Sequence, residues 1–164
     1  MTIQRVHPAY AEGFYALWQT VSEQGDDVIG PPPSLEKVKR VLTLHSEKTA
    51  PSFIYLKDGA LVASAEVFPS PKAGEEKQGI LGVQVHPDYR RRGIAKQLLN
   101  AVLVDCQRYG IEQVDLTVYQ HNAGAIRLYQ QFGFQPREAP QTITLPSGRA
   151  VLNQTMTLSL APSR

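Results

Sequence analysis

Apolar residues recur at helical spacing in four stretches of the chain. The first stretch carries them at i, i+4, i+7, i+8 and i+11 from Tyr10, which is the pattern of an amphipathic helix. Ser34 is a suitable N-cap for the second helix, and Gly110 is a suitable C-terminal residue for the third, which begins near Arg92. The predicted helices therefore cover residues 8–24, 34–47, 92–110 and 122–131.

Runs of alternating or β-branched apolar residues predict strands in most of the remaining chain. Asp58 and Gly59 join two of these runs, as expected for a tight hairpin. Pro87 cannot donate a hydrogen bond within a sheet, so it ends the apolar run before it. The predicted strands cover residues 2–6, 52–57, 60–68, 80–85, 111–119, 134–138 and 149–160, with a loop containing Pro146, Ser147 and Gly148 between the last two.

The resulting order is β-α-α-β-β-β-α-β-α-β-β, which indicates a mixed sheet with helices on both faces. We therefore expect an α/β (mixed α+β) fold, with six to seven strands and about four helices. A chain of 164 residues suffices for one domain with a proper core, so residues 1–164 are expected to form a single domain.

Composition and charge exclude several classes of partner. The net charge of +2 is too small to indicate binding to nucleic acid or to a membrane surface. The basic residues instead cluster locally, which favours a small polyanionic ligand. Cys106 is the single cysteine, so neither an internal disulfide nor a cysteine metal site is expected. A buried reduced thiol and the lack of an apolar leader or membrane span together predict a cytoplasmic protein.

A basic segment at the start of the helix that follows the strand over 80–85 is suited to bind phosphate. It reads Arg90-Arg91-Arg92-Gly93-Ile94-Ala95-Lys96 and contains no acidic residue. A helix N-terminus offers unpaired N–H groups, Gly93 lets an anion approach the backbone, and arginines can clamp its oxygens. The segment is neither a P-loop nor a dinucleotide fingerprint. It resembles the acyl-CoA pyrophosphate loop of the GCN5-related N-acetyltransferase (GNAT) superfamily, [QR]-x-x-G-x-[GA].

A second segment also resembles this superfamily, in its pattern V-x-x-x-N-x-x-A-x-x-L-Y-x-x-x-G-F. Asn122 and Tyr129 are seven residues apart, so they project from the same side of the predicted helix. Asn122 could instead serve only as a helix N-cap, and Tyr129 only as a core residue. The matching positions are Val118, Asn122, Ala125, Leu128, Tyr129, Gly133 and Phe134.

The resemblance implies acetyl transfer from acetyl-CoA (coenzyme A) to an amine by direct attack, without an acyl-enzyme. It implies that Val83, Gln84 and Val85 offer backbone groups to the pantetheine arm and that an N–H near Val85 polarises the thioester. It further implies that Arg91, Arg92, Gly93, Ile94, Ala95 and Lys96 hold the pyrophosphate through main-chain N–H groups. Arg90 would support this loop or contact phosphate, Asn122 would contact the cofactor arm, and Tyr129 would protonate the leaving thiolate.

The general base and the acceptor are less well defined. The strand over 80–85 carries no carboxylate, and Thr117 stands where some relatives that acetylate proteins carry Glu. Candidates acting through water are Glu66, Asp115 and His86. The acceptor would be shaped by residues 10–35 and the last two strands, and the residues considered for an amine pocket are Trp18, Asp26, Asp27 and Tyr55.

We expect the acceptor to be a small-molecule amine or an amino acid, and the family makes a homodimer conceivable. Three alternatives remain at this point. One is an acetyltransferase of peptide or protein amines, although the missing carboxylate weakens a ribosomal-protein acceptor. Another is a sensor that binds acyl-CoA without turnover. The third is a nucleotide-binding regulatory domain in which Gly93 serves another phosphate.

Overall fold

The computed structural model describes residues 2–24, 30–145 and 147–160. It confirms the predicted mixed α/β fold, with four α-helices and an eight-stranded sheet. The elements are β1 (Thr2–Arg5), α1 (Ala11–Ser22), α2 (Leu35–Glu47), β2 (Ser52–Lys57), β3 (Ala60–Pro69), β4 (Gln78–Val85), α3 (Ile94–Tyr109), β5 (Gln113–Tyr119), α4 (Ala123–Gln131), β6 (Gln135–Pro136), β7 (Gln141–Thr144) and β8 (Ala150–Ser159). Short 3-10 turns precede α1 at Pro8–Tyr10 and follow β4 at Pro87–Tyr89.

The strands follow the order β1-β2-β3-β4-β5-β8-β6, and β7 also pairs with β8. Every pairing is antiparallel except that between β4 and β5, which is parallel. The crossover connection that parallel neighbours require is supplied by α3. The sheet therefore has one place at which two strands run side by side in the same direction.

Each face of the sheet has its own apolar core. On one face, α1 and α2 pack against alternate residues of β2 such as Ile54 and Leu56. On the other face, α3 buries Leu98, Leu99 and Val102 against β3, β4 and β5. The partly buried apolar side chains of α4 pack against this second core. Because successive residues of a strand point to opposite faces, one strand can contribute to both cores.

Local sequence signals explain most of the element boundaries. Ser34 Oγ accepts the N–H of Lys37 at 3.2 Å and caps α2, as its position predicts. Gly110, with φ of 95°, ends α3 in the left-handed conformation. The third helix begins two residues later than predicted, because Arg91 and Gly93 adopt positive φ angles that are incompatible with a helix.

The order of elements is confirmed, with one addition. The segment between the last two predicted strands contains β7, which the sequence analysis assigned to a loop. This strand is short and largely exposed, so its hydrophobic pattern is weak and its pairing with β8 defines it. Cys106 is buried in α3, as expected, and burial raises the pKa of its thiol to about 12. Within the described ranges no helix has the length and apolarity needed to cross a membrane.

Candidate active site

A cleft opens between β4 and β5 where these parallel strands diverge. They pair only over residues 78–80 of β4 and 113–115 of β5. Beyond that point a cleft of about 710 Å³ lies between their carboxyl-terminal halves, residues 83–85 and 117–119. The turn before α3, one side of α4 and single residues of α1, β7 and β8 also line it. We call this space the β4–β5 cleft; the carboxyl end of such a sheet is where ligands commonly bind.

β4 presents backbone groups to this cleft through alternate residues. The N–H of His86 donates to a carbonyl of β3 at 2.8 Å, so Gln84, two residues earlier, also directs its backbone groups toward β3. Val83 and Val85 therefore direct their N–H and C=O groups toward the cleft. Arg90 Nε donates to the Val85 carbonyl at 3.2 Å, in agreement with this geometry. The expectation for Gln84 is corrected: it lines the cleft, but its backbone groups belong to the ladder with β3.

The turn before α3 presents uncapped amides. Arg91 and Gly93 have φ angles of 62° and 77°, and Gly93 is the N-cap residue of α3. Within the described chain no side chain caps this helix, so the N–H groups of its first turn lack an acceptor. A Cβ added at Gly93 would meet no atom within 4 Å, which shows that the approach to these amides is open. The neighbouring residues Arg90, Arg91 and Ala95 line the cleft.

Three other side chains of the predicted phosphate loop, those of Arg92, Ile94 and Lys96, do not line the cleft. The Arg92 guanidinium lies over the Tyr89 ring, 5.2 Å from its centroid, and does not line the cleft. The side chain of Ile94 is buried in the core against the sheet, and that of Lys96 is exposed outside the cleft. The side chains of Arg92, Ile94 and Lys96 therefore do not line the cleft, and Gly93 has no side chain. These four residues can contribute only backbone groups to a phosphate site.

Asn122 and Tyr129 both line the cleft from α4. Asn122 Oδ1 accepts the N–H of Ala125 at 3.2 Å, so this residue caps α4 and also faces the cleft. The ring of half-buried Tyr129 packs edge-on against Phe134, with centroids 5.8 Å apart. Burial raises the pKa of Tyr129 to about 12, so its phenol stays protonated at neutral pH. No group among the described residues forms a hydrogen bond with this phenol, which leaves its proton available to a ligand.

A second cavity lies on the opposite face of the sheet, beneath α1 and α2. It has a volume of about 480 Å³, and we call it the α1–α2 cavity. Apolar side chains form most of its wall, including Phe14, Trp18, Val38 and Leu42. Trp18 Nε1 is held by the carbonyl of Gly30 at 2.9 Å. The two cavities meet along β4, where residues 83 and 84 line both of them.

Three buried polar side chains line the α1–α2 cavity and are incompletely paired. His45 Nδ1, Glu66 Oε2 and Gln84 Oε1 have no hydrogen-bond partner within the described chain. Ser64 connects two of these residues: its hydroxyl accepts from Gln84 Nε2 at 3.2 Å and hydrogen-bonds with Glu66. Burial raises the pKa of Glu66 to about 8, against the lowering effect of this hydrogen bond. Burial, together with nearby Lys48, lowers the pKa of His45.

The residues suggested for an amine pocket agree with this cavity only in part. Trp18 lines it, as suggested for an amine pocket, whereas Tyr55 lies in the core on the α3 face and lines neither cavity. Asp26 and Asp27 lie outside the described residues. His45 and the side chain of Gln84 were missed. In the sequence, Glu66 is a carboxylate between apolar residues of a predicted strand. This position was the one sign in the sequence that a polar group lies in the core.

The other candidate bases are engaged elsewhere. Asp115 accepts from Arg137 Nη1 at 2.6 Å and does not line either cavity. His86 Nδ1 accepts the N–H of Asp88 at 3.1 Å and caps the 3-10 turn after β4. Thr117 lines the β4–β5 cleft, but its hydroxyl is too weakly basic to take a proton from an ammonium at neutral pH. Within the described residues, Glu66 is the carboxylate that remains next to a cavity and without a cationic partner.

The parallel strand pair, the open cleft at its carboxyl end and the uncapped helix amides beside it form a site suited to a ligand that carries phosphate groups. The acetyltransferase (GNAT) family model matches residues 9–134. The chain belongs to this family, and the resemblance expected from the sequence is confirmed.

Relatives with assigned names match over shorter segments. The ribosomal protein bS18-alanine N-acetyltransferase of Escherichia coli K12 is 34% identical over 55 residues, 34% of this chain and 37% of that protein. The L-amino acid N-acetyltransferase AaaT of the same organism is 24% identical over 95 residues, 57% of this chain and 59% of that protein. The matched segments thus span about a third to three fifths of these relatives.

Solved structures of low sequence identity share the whole fold. The ribosomal-protein-alanine N-acetyltransferase of Brucella melitensis has a TM-score of 0.88 at 20% identity, over 98% of this chain and 100% of that chain. A phosphinothricin acetyltransferase of Sinorhizobium meliloti, determined in complex with acetyl-CoA, has a TM-score of 0.86 at 18% identity, over 97% of this chain and 88% of that chain. These structures confirm the architecture.

Proposed function

We propose that this protein is an N-acetyltransferase that moves the acetyl group of acetyl-CoA to a primary amine, by direct attack of the amine. The observation that carries the proposal is the composition of the β4–β5 cleft. One space contains the uncapped amides of α3, the outward backbone groups of Val83 and Val85, and the protonated phenol of Tyr129. Several named members of the family are N-acetyltransferases, which supports the same activity.

The residues of the cleft match the chemical parts of acetyl-CoA. The amides of the turn, together with Arg90 and Arg91, offer donors to a diphosphate. Val83 and Val85 offer the edge of a strand, to which an extended amide-containing arm can add as a further strand. The side chain of Asn122 lines the same cleft and is suited to contact this arm. The acetyl-CoA complex of the phosphinothricin acetyltransferase of similar fold supports this cosubstrate.

The chemistry requires a donor near the sulfur and an acceptor near the nitrogen. Acetyl-CoA supplies an activated acetyl group, so a C–N bond forms while the C–S bond breaks. A backbone N–H of β4 is suited to polarise the thioester carbonyl. Tyr129 is suited to give its proton to the leaving sulfur and to be reprotonated from the nitrogen. An ammonium that becomes an amide loses two protons; one reaches the sulfur in this way, and the other leaves through a base to solvent.

We propose a small-molecule amine or an amino acid as acceptor. The α1–α2 cavity supports this, because a largely apolar space of about 480 Å³ suits a small ligand. AaaT acts on L-amino acids by its name, whereas other relatives are named for a ribosomal protein, so a peptide acceptor is the alternative to test. A cytoplasmic location, suggested by the buried thiol of Cys106, and a homodimer both remain predictions.

The decisive experiment combines binding and turnover. Titration calorimetry should show that coenzyme A binds, and release of free thiol from acetyl-CoA should depend on an amine in a panel of monoamines, amino acids and an alanine-terminated peptide. Binding of coenzyme A without thiol release on any amine would favour a sensor. Protection against thermal unfolding by ATP but not by coenzyme A would overturn the proposal in favour of a nucleotide-binding domain.

A further inference from the structure

Glu66 is a buried carboxyl group that has no cationic partner among the described residues. It lies on β3 opposite Gly82 of β4, and it lines the α1–α2 cavity together with His45 and Gln84. Each of these three side chains is at least nine-tenths buried, and each has one polar atom that no group of the described chain satisfies. Buried polar groups in folded proteins are normally paired. Three incomplete pairings around one cavity indicate a missing ligand that donates hydrogen bonds.

We propose that the α1–α2 cavity binds the acceptor and that Glu66 holds its nitrogen, which makes the preferred acceptor a primary amine with an apolar body and no carboxylate beside the nitrogen. This inference rests on the proposed acetyltransferase function. A primary ammonium has three N–H donors. The cavity offers unpaired oxygens of Glu66 and Gln84 and the unpaired Nδ1 of His45, which accepts a hydrogen bond when the imidazole proton is on Nε2. A small rotation about the terminal torsion of the carboxyl group would present either oxygen to the cavity.

The wall of the cavity favours an amine whose nitrogen carries an apolar aryl or alkyl group. The side chains from α1 and α2 that face it are mainly aromatic or aliphatic, as in Phe14, Trp18 and Val41. Such a surface is complementary to an aryl or alkyl group. An α-amino acid would bring its own carboxylate close to Glu66. Among the described lining residues, the permanent cation is Lys37, and its side chain is exposed to solvent. The buried part of the wall therefore has no positive charge to pair with the carboxylate of an amino acid.

The same carboxyl group is suited to accept the proton that the ammonium must lose before attack. Its pKa of about 8 lies near the range in which a base takes a proton efficiently at neutral pH. Among the described residues, the titratable or charged groups that line the cavity with it are His45 and Lys37, both from α2, whereas the lining residues of α1, β2 and β4 are uncharged. Because residues 83 and 84 border both cavities, an amine held by Glu66 lies across β4 from the cleft in which the thioester is expected.

The experiment uses a matched pair of acceptors. 2-Phenylethylamine and L-phenylalanine share an aromatic body and differ by the carboxylate. We expect kcat/KM for 2-phenylethylamine to exceed that for L-phenylalanine by about tenfold or more. Glu66→Gln should lower kcat/KM for 2-phenylethylamine by at least about tenfold and remove the acid limb, with a midpoint near pH 8, from its pH profile. Glu112→Gln, which alters an exposed ion pair with Lys77, is the control and should leave both values unchanged.

The outcomes separate this inference from the proposed function. Equal rates for the two acceptors, or an unchanged pH profile in Glu66→Gln, would overturn the inference while acetyl transfer itself stands. If no amine supports thiol release, calorimetry with the coenzyme A-loaded protein decides. Binding of 2-phenylethylamine that is weakened about tenfold in Glu66→Gln supports the cavity as an amine site, and undetectable or unaltered binding refutes it. Coenzyme A affinity should be the same in both variants and the wild type, which reports on folding.

Discussion

Gly82 leaves the space that the carboxyl group of Glu66 occupies. The two residues are partners across β3 and β4, and a Cβ at position 82 would lie 3.1 Å from Glu66 Oε1. A contact this short would force the carboxyl group to move. The absence of a side chain on one strand thus permits a buried acid on the next, immediately beside the residues that border both cavities.

Gly82→Ala therefore tests the position of this acid without removing it. A shift of the carboxyl group by a few tenths of an ångström should raise KM for 2-phenylethylamine by about threefold, because its hydrogen bond to the amine is weakened and not lost. The dissociation constant of coenzyme A, measured by calorimetry, should stay within about twofold of the wild type. Gly13→Ala in α1, where a Cβ meets Leu61 at an ordinary 3.5 Å, is the control. A parallel loss of coenzyme A binding would indicate general damage to β4.

Tyr129→Phe should lower kcat by about a hundredfold, because the leaving sulfur loses its proton donor. The ring and its packing against Phe134 are retained, so coenzyme A affinity and thermal stability should change little. Steady-state kinetics at saturating acetyl-CoA, with the dissociation constant measured separately, checks this. Tyr109→Phe at the end of α3, outside both cavities, is the matched control. A variant of Tyr129 with normal kcat would assign this residue to packing alone.

The arginines before α3 should contribute unequally. Arg91 lines the cleft, whereas Arg92 lies over the ring of Tyr89. Arg91→Ala should weaken coenzyme A binding by about tenfold at low salt, since a charge-assisted contact to phosphate is lost. Arg92→Ala should weaken coenzyme A binding by about threefold or less. This smaller effect comes from the long-range attraction between the arginine and the phosphates, which salt screens. Calorimetric titrations at two ionic strengths measure both, and equal losses would contradict the placement of Arg92.

The buried acid should also make stability depend on pH. In the folded protein Glu66 keeps its proton up to a pKa of about 8, whereas the unfolded chain releases it near 4.5. The folded state therefore binds more protons between these values, and stability falls as pH rises through this window. Glu66→Gln removes this dependence. At pH 8 to 9 the variant should be more stable than the wild type by about 1 to 3 kcal/mol.

Thermal unfolding at pH 4 and pH 8.5 measures this effect. The two proteins should unfold at similar temperatures at pH 4, where the acid is protonated in both states. At pH 8.5 the midpoint of Glu66→Gln should lie higher, by about 2 to 4 °C for each kcal/mol. If the difference in unfolding temperature between the two proteins is the same at pH 4 and pH 8.5, the carboxyl group is not desolvated in the folded protein.

Much of the fold follows from local patterns. The periodicity of Tyr10 and its partners, the cap at Ser34, the glycine at 110 and the hairpin at 58–59 each depend on residues close together in the chain. The element order derived from them is confirmed. The strand β7 was missed because its stability comes from pairing with β8, which lies beyond a loop.

The sequence by itself determined the family, because the two motifs at 90–95 and 118–134 are patterns of specific residue types at fixed spacing within short segments. Only the tertiary structure decided which groups share a space. It turned Gln84 toward β3 and the α1–α2 cavity, set Arg92 against Tyr89, and brought His45 to Glu66 from distant parts of the chain. The physical reason is that backbone direction and burial depend on register and packing between strands and helices, and these are properties of contacts that no local pattern records.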